Sequence, residues 1–154
     1  RERLAGDDPA FAEAWAHEVR RYYPFAPFIG GRAPRPVEWD GERVPAHSMV
    51  LLDLYGQNHD PQVWGDPYAF RPARFLTPEG TVRDIGAFEL VAQGAGDPRT
   101  GHRCPGEQIT VAVLAALAVR LARLDAEVPE QDVTIPLHRI PSRPRSGIVL
   151  RVRG

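Results

Sequence analysis

The sequence predicts a mainly α-helical fold with small β-sheets, an α+β arrangement. Two observations predict helices: aromatic side chains recur at near-helical spacing after Asp8, and residues 109–124 form a strongly apolar run. A third observation predicts the sheets, because several short strand-like runs are separated by turns rich in Gly and Pro. A chain of 154 residues is long enough to bury a core as one domain.

The first helix has recognisable ends. Asp8 is a suitable N-cap, Pro9 suits the first turn, and Pro24 stops the helix. Its apolar positions near helical spacing are Phe11, Trp15 and Tyr22.

The middle of the chain predicts short β elements followed by irregular structure. Residues 37–44 form a hairpin around Asp40-Gly41, and residues 48–54 form an apolar strand. A short helix is expected at 60–64, and residues 66–89 predict an irregular meander. After the apolar run, which predicts a buried helix, short strands are expected at 132–136 and 147–152.

The only cysteine, Cys104, lies between a loop rich in Gly and Pro and the apolar helix. Free N–H groups and the helix dipole at that position favour a thiolate over a thiol. Glycines also let the backbone pass close to a flat ligand. The pattern predicts a metal-binding thiolate, whereas a lone cysteine elsewhere is more often an inert core thiol.

This loop resembles the haem-binding loop of the cytochromes P450, which usually reads Phe-x-x-Gly-x-x-x-Cys-x-Gly. Cys104-Pro105-Gly106 matches the end of that pattern, and His102 takes the basic position before the cysteine. Gln93 stands where Phe is usual, and the spacing from Gly96 to Cys104 is longer than the common one. Both departures are similar to the bacterial branch that hydroxylates or decarboxylates fatty acids with hydrogen peroxide.

The resemblance implies a haem b cofactor whose iron is bound by the Cys104 thiolate. A thiolate ligand favours O–O cleavage because it donates electron density. His102 is expected to bind a haem propionate, with Arg103 as a weaker candidate. The cofactor-binding residues implied are Cys104, His102, Arg103, Gln93 and Gly96.

Two further motifs resemble the same family. Glu18-Val19-Arg20-Arg21 matches its Glu-x-x-Arg helix motif, and residues 70–75 match its Pro-x-Arg-Phe segment. The family pattern places Arg74 on Glu18, so that Glu18, Arg21 and Arg74 form a buried ion triad. Its expected role is structural, because an unpaired buried charge costs about 3–5 kcal/mol.

The resemblance runs from about Glu13 to the end of the chain. Residues 22–28, 51–61 and 128–131 are similar to the peroxide-using branch in particular. In that branch two phenylalanines after the helix line the substrate channel. Phe25 and Phe28 take those places here, with ordinary core aromatics as the alternative interpretation.

Residues 1–154 are expected to be the haem-binding C-terminal portion of a longer P450, since the chain starts at Arg1 without Met. The long distal helix, whose Arg-Pro pair binds the fatty-acid carboxylate in that branch, has no counterpart in this sequence. No catalytic residue is therefore assigned within this chain.

The favoured function is oxidation of a fatty acid, by α- or β-hydroxylation or decarboxylation, with hydrogen peroxide and without a redox partner. One alternative is an ordinary P450 monooxygenase served by redox partners. The other is an inactive haem-binding or structural module.

Composition argues against several other classes. Net charge is −1, and the 19 basic residues are all Arg without a dense run, so nucleic-acid binding is not indicated. No signal peptide or bilayer-length apolar run predicts a membrane anchor. One cysteine forms no internal disulfide, which agrees with a cytoplasmic location. The five histidines lack zinc-site spacing.

Overall fold

The structure is a computed structural model that describes residues 1–153. Helices and short sheets alternate along the chain, and a long irregular segment separates the last two helices. In chain order the elements are α1 (Glu2–Ala5), α2 (Pro9–Tyr22), β1 (Phe28–Arg32), β2 (Val37–Trp39), β3 (Glu42–Val44), β4 (Met49–Asp53), α3 (Leu54–Asn58), α4 (Pro61–Trp64), a 3₁₀ helix (Pro72–Phe75), α5 (Glu107–Arg123), β5 (Ala126–Glu127) and β6 (Arg151–Val152).

Helix α2 confirms the first prediction. The Asp8 side chain accepts a hydrogen bond from the N–H of Phe11 at 2.9 Å, and Pro9 occupies the first turn. The helix ends at Tyr22, two residues before Pro24. Local signals therefore set both ends of the helix.

Within the described part of the chain, the sheets are three antiparallel pairs: β1 with β4, β2 with β3, and β5 with β6. The predicted hairpin is confirmed as β2–β3. Asp40 and Gly41 have φ of 49° and 80°, and positive φ at both central residues is what a type I′ turn requires.

The predicted strand at 132–136 is wrong, and the one at 147–152 shrinks to Arg151–Val152. Gln131 replaces a regular ladder, since its side chain exchanges hydrogen bonds of 2.9 and 3.0 Å with the backbone of Val149. The prolines of this stretch also lack the N–H that a ladder needs.

Helix α5 forms as predicted, but the expected burial is wrong for this chain. Val111 and Ala118 are its buried residues, because α1 and α2 cover one side only. The other side carries an exposed apolar row at four-residue spacing: Ile109, Val113, Leu117 and Leu121.

Helix α2 lies between two apolar clusters, which explains its run of small residues. Ala14 packs with Trp64, Phe75 and Leu90. Ala12 packs on the other side with Leu4 and Ala118. Alanine at these positions lets α2 approach both the meander and α5 closely.

The carboxylate of Glu18 joins α2 to the meander. Arg21 donates two hydrogen bonds of 2.8 Å to its two oxygens, and the backbone N–H of Arg71 donates a third at 2.7 Å. The Nε of Arg74 lies 3.1 Å from the nearer Glu18 oxygen. The side chains of Glu18 and Arg21 are fully buried, and that of Arg74 nearly so.

Both guanidiniums also bind backbone carbonyls of the irregular segment. Arg21 donates to the carbonyls of Asn58 and Pro67 at 2.9 and 2.8 Å. Arg74 donates to those of Trp64 and Asp66 at 2.8 and 2.9 Å. These loops form few β-ladder hydrogen bonds of their own. The two arginines therefore donate the hydrogen bonds that the loop carbonyls need.

We expect Glu18→Gln to lower the free energy of unfolding by about 3–5 kcal/mol, because two buried guanidiniums lose their shared anion. Denaturant unfolding of the purified protein measures this loss. Glu13→Gln, at a half-exposed position of the same helix, is the matched control and should change stability by less than about 0.5 kcal/mol. Equal unfolding midpoints for the two variants would contradict a stabilising role for the triad.

Candidate functional site

Cys104 lies three residues before the first residue of α5, with its side chain exposed. Its backbone N–H donates to the carbonyl of Gln93 at 2.8 Å, and its carbonyl accepts from the N–H of Glu107 at 3.2 Å. Cys104 thus lies beside the N-terminus of α5 with its sulfur accessible.

Two glycines shape the loop that leads to Cys104. Gly94 has φ of 92°, and a Cβ at this position would lie 1.9 Å from the carbonyl oxygen of His102. Gly96 has φ of 82° and donates its N–H to Ala87 at 2.9 Å. Sequence reasoning singled out Gly96 but missed Gly94, which is the tighter position because no side chain fits there.

A polar network behind the loop was also missed from the sequence. Arg20 donates from Nε to the side-chain oxygen of Gln93 at 2.9 Å, and from Nη2 to Glu107 at 2.6 Å. Arg103 binds the same Glu107 carboxylate through two nitrogens, at 2.5 and 3.1 Å. The four-residue spacing from Arg103 to Glu107 was the available signal for that pair.

Glu107 is ionised in this network. Burial alone would raise its pKa, but the hydrogen bonds from Arg103 and Arg20 outweigh burial and hold the pKa below its usual value. The carboxylate therefore balances the buried guanidinium of Arg20 at neutral pH.

Gln93 forms a hydrogen bond at each end of its side-chain amide. Its oxygen accepts from Arg20, and its nitrogen donates to the hydroxyl of Thr110 on α5 at 3.2 Å. The residue therefore links α2, the cysteine loop and α5.

His17 also belongs to this network and lies three residues before Arg20 on α2. Its Nδ1 lies 3.0 Å from the Nη1 of Arg20, and because a guanidinium only donates, this ring nitrogen accepts. Burial, then the charge of Arg20, lowers the pKa of His17 to about 4. The ring is therefore neutral at physiological pH.

A site with a single thiol suits a metal ion whose other ligands come from a bound cofactor. Among residues 1–153 no three His, Cys, Asp or Glu side chains converge to hold an ion. A macrocycle-bound iron needs only one strong protein ligand, and an exposed thiol such as that of Cys104 is a donor of this kind. The donor set thus fits a haem.

A cavity of about 710 Å³ lies between α2, α5 and the C-terminal segment, in the size range of cofactor sites, but Cys104 is not part of its lining. Cys104 lines a separate cavity of about 870 Å³ together with His17 and Arg103.

Phe25 and Gln93 line the first of these cavities, together with Thr110 and Leu114 of α5. Phe28 lies at the start of β1, outside this lining. The structure thus brings Phe25, but not Phe28, to the first cavity.

The two residues before Cys104 have different surroundings. His102 is exposed on the loop, with its side chain accessible to a ligand. The Arg103 guanidinium is occupied by Glu107. Of these two sequence-predicted candidates for a propionate, His102 is the accessible one.

Within residues 1–153, no helix has both the length and the apolar character required to cross a bilayer. The longest apolar helix, α5, contains 17 residues and carries arginines in its last turn.

Comparison with known proteins gives one consistent family. The family model described as Cytochrome P450 matches residues 10–151. Cytochrome P450 4A7 of Oryctolagus cuniculus is 33% identical over 138 residues, which cover 88% of this chain and 25% of that protein. Cytochrome P450 1A2 of Canis lupus familiaris is 38% identical over 120 residues, 76% of this chain and 23% of that protein. The chain spans about a quarter of these curated relatives.

Two solved structures are more similar in sequence to this chain than those two curated relatives are. Cytochrome P450SP alpha in complex with (R)-ibuprophen has a TM-score of 0.84 and 42% identity, covering 99% of this chain and 37% of that one. A variant of cytochrome P450 OleT in complex with arachidonic acid has a TM-score of 0.83 and 42% identity, covering 99% and 35%. Both similarities extend over nearly the whole chain.

The low pKa of His17 predicts a pH-dependent stability. Between pH 6.5, its ordinary pKa, and about 4, the unfolded chain binds a proton that the folded chain does not, so stability falls as pH falls. His17→Gln keeps an acceptor for Arg20 but does not titrate. From pH 7 to 4 the parent should lose about 3 kcal/mol more stability than this variant.

Denaturant unfolding at a series of pH values measures the difference. His138→Gln, at an exposed position, is the matched control and should follow the parent curve. Parallel curves for the parent and His17→Gln would mean that His17 titrates normally in the folded protein.

Proposed function

Because this chain belongs to the cytochrome P450 family, we propose that it is the haem-binding portion of an enzyme that oxidises fatty acids with hydrogen peroxide. The products would be hydroxylated or decarboxylated acids. Residues 1–154 would act together with the remaining parts of a longer P450. This assignment keeps the catalytic acid outside the present chain.

The observation that carries the proposal is the 42% identity, over 99% of the chain, with two P450 structures that hold carboxylic acids. One of those structures, the OleT variant, is described as holding arachidonic acid, which is a fatty acid. The curated relatives named above are less similar, at 33% and 38% identity. The fatty-acid branch is therefore the better match for this chain.

Within the site, the haem would supply oxidation chemistry at its iron. Cys104 would hold the iron, and α5 behind it would stabilise the thiolate through its free N–H groups. The exposed His102 ring would bind a propionate by a charge-assisted hydrogen bond. Phe25 would contribute to the apolar wall of the cavity of about 710 Å³.

The departures of the loop from the usual P450 pattern support peroxide as the oxidant. Gln93 replaces the usual aromatic residue, and residues 97–101 lengthen the loop beside the cysteine. In ordinary P450s electron partners dock near this loop, so added bulk there favours an oxidant that needs no such partner.

The assignment of Cys104 as iron ligand predicts a spectroscopic signature. In the haem-loaded product of the complete reading frame, the reduced carbon monoxide complex should absorb at the position typical of thiolate ligation. Cys104→Ser should abolish that band, because the hydroxyl is a far weaker ligand than the thiolate. Arg99→Gln, an exposed change in the same loop, should retain it. A serine variant that keeps the band would contradict the assignment.

The oxidant and substrate are tested together. With hydrogen peroxide and no reductase, the same protein should oxidise a long-chain fatty acid at least tenfold faster than its methyl ester. The carboxylate would accept a proton from the peroxide and return it to the departing oxygen, and the ester lacks a group that can do this. Product analysis by mass spectrometry measures this, with Cys104→Ser reporting unspecific haem chemistry. Turnover that requires reduced nicotinamide and redox partners, with none from peroxide, would assign the protein to the ordinary monooxygenases.

A further inference from the structure

We propose that Arg20 is a positioning residue that holds the thiolate of Cys104 in place by binding both ends of the cysteine loop. The inference rests on the proposed haem-thiolate function. It assigns to Arg20 a role different from that of its neighbour Arg21, which belongs to the Glu18 triad.

The geometry of Arg20 is that of a two-armed clamp. One arm, Nε, donates to the side-chain oxygen of Gln93 at 2.9 Å, and the other, Nη2, donates to Glu107 at 2.6 Å. These partners lie 73 and 87 residues away in sequence. The Arg20 side chain is only 4% exposed, so water does not screen these contacts.

The two partners of Arg20 are the same two residues that hold the backbone of Cys104. Gln93 accepts the N–H of Cys104 through its carbonyl, and Glu107 donates its N–H to the carbonyl of Cys104. A displacement of Arg20 would therefore be transmitted to both backbone groups of the ligand residue through one intervening residue on each side.

Adjacent arginines on α2 face different parts of the protein. Arg21 points to Glu18 and to the carbonyls of Asn58 and Pro67. Among residues 1–153, the guanidinium of Arg20 forms hydrogen bonds with His17, Gln93 and Glu107 and none with Glu18. Arg21 thus binds the meander and Arg20 binds the cysteine loop. Mutation of one arginine can therefore be used to test its role apart from that of the other.

The contacts also require the guanidinium shape. Nε and Nη2 lie on one edge of a planar group, which lets one side chain bind an amide oxygen and a carboxylate at once. The ammonium of lysine can keep the charge pairing with Glu107 but lacks that fixed fork. Arginine-to-lysine exchange therefore removes geometry while keeping charge.

The test compares Arg20→Gln, Arg20→Lys and the control Arg99→Gln as haem-loaded products of the complete reading frame. The reduced carbon monoxide complex of each is followed while its thiolate band converts to the band of the protonated thiol. We expect this conversion to be at least tenfold faster in Arg20→Gln, intermediate in Arg20→Lys and unchanged in Arg99→Gln. Far-ultraviolet circular dichroism, recorded in parallel, confirms that the compared proteins stay folded.

Where Arg20→Gln does not fold or load haem, Gln93→Leu replaces it, since this change removes only one arm of the clamp. It should accelerate the conversion at least threefold with circular dichroism unchanged. Conversion at the parental rate in the folded Arg20→Gln variant, or in Gln93→Leu where it replaces that variant, overturns the inference.

The outcomes also separate this inference from the function on which it rests. If the parent shows the thiolate band and loses it in Cys104→Ser, but the clamp variants behave like the parent, only the role of Arg20 fails. If the parent lacks the band, the haem-thiolate assignment fails and the positioning role fails with it.

Discussion

The burial of two adjacent guanidiniums on α2 is the constraint on which the rest of this structure depends. Arg20 and Arg21 are each almost fully buried, and a buried charge without a partner is strongly destabilising. Glu18 neutralises Arg21 from within the helix, whereas Arg20 obtains its carboxylate from Glu107 at the start of α5. Helix α2 can therefore pack in the core only when α5 and the cysteine loop are docked on it.

Sequence reasoning succeeded where the signal was local. The ends of α2, the β2–β3 turn and the shared face of Glu18 and Arg21 depend on residues at most a few positions apart. The approach of Arg74 to Glu18 was expected only through family resemblance, since 56 residues separate them. The contacts of Arg20 could be predicted neither from local spacing nor from the family resemblance, because no motif connects it to residues 73 and 87 positions away.

The failed predictions have a common physical cause: an apolar run shows that burial would be favourable, but does not say what covers it. Helix α5 forms where predicted, yet one row of its apolar side chains stays exposed because nothing among residues 1–153 packs on that side. The segment at 132–136 alternates apolar residues as a strand would. The backbone N–H groups of Arg145 and Ser146 donate to the carbonyls of Thr134 and Asp132 at 3.0 and 3.1 Å, but these two bonds do not continue into a strand ladder.

Gln93 connects the family departure to the architecture. In the usual P450 loop pattern this position is Phe, which has no group that accepts a hydrogen bond from a guanidinium. With Phe, the Nε of Arg20 would be left without its partner in a buried site, at a cost of about 1–3 kcal/mol. Gln93 accepts that hydrogen bond and donates a second one to the hydroxyl of Thr110. The residue that sets this loop apart from the common pattern is thus also the one that lets a buried arginine hold the cysteine loop, so Arg20 and Gln93 form one unit that a change at either position would break.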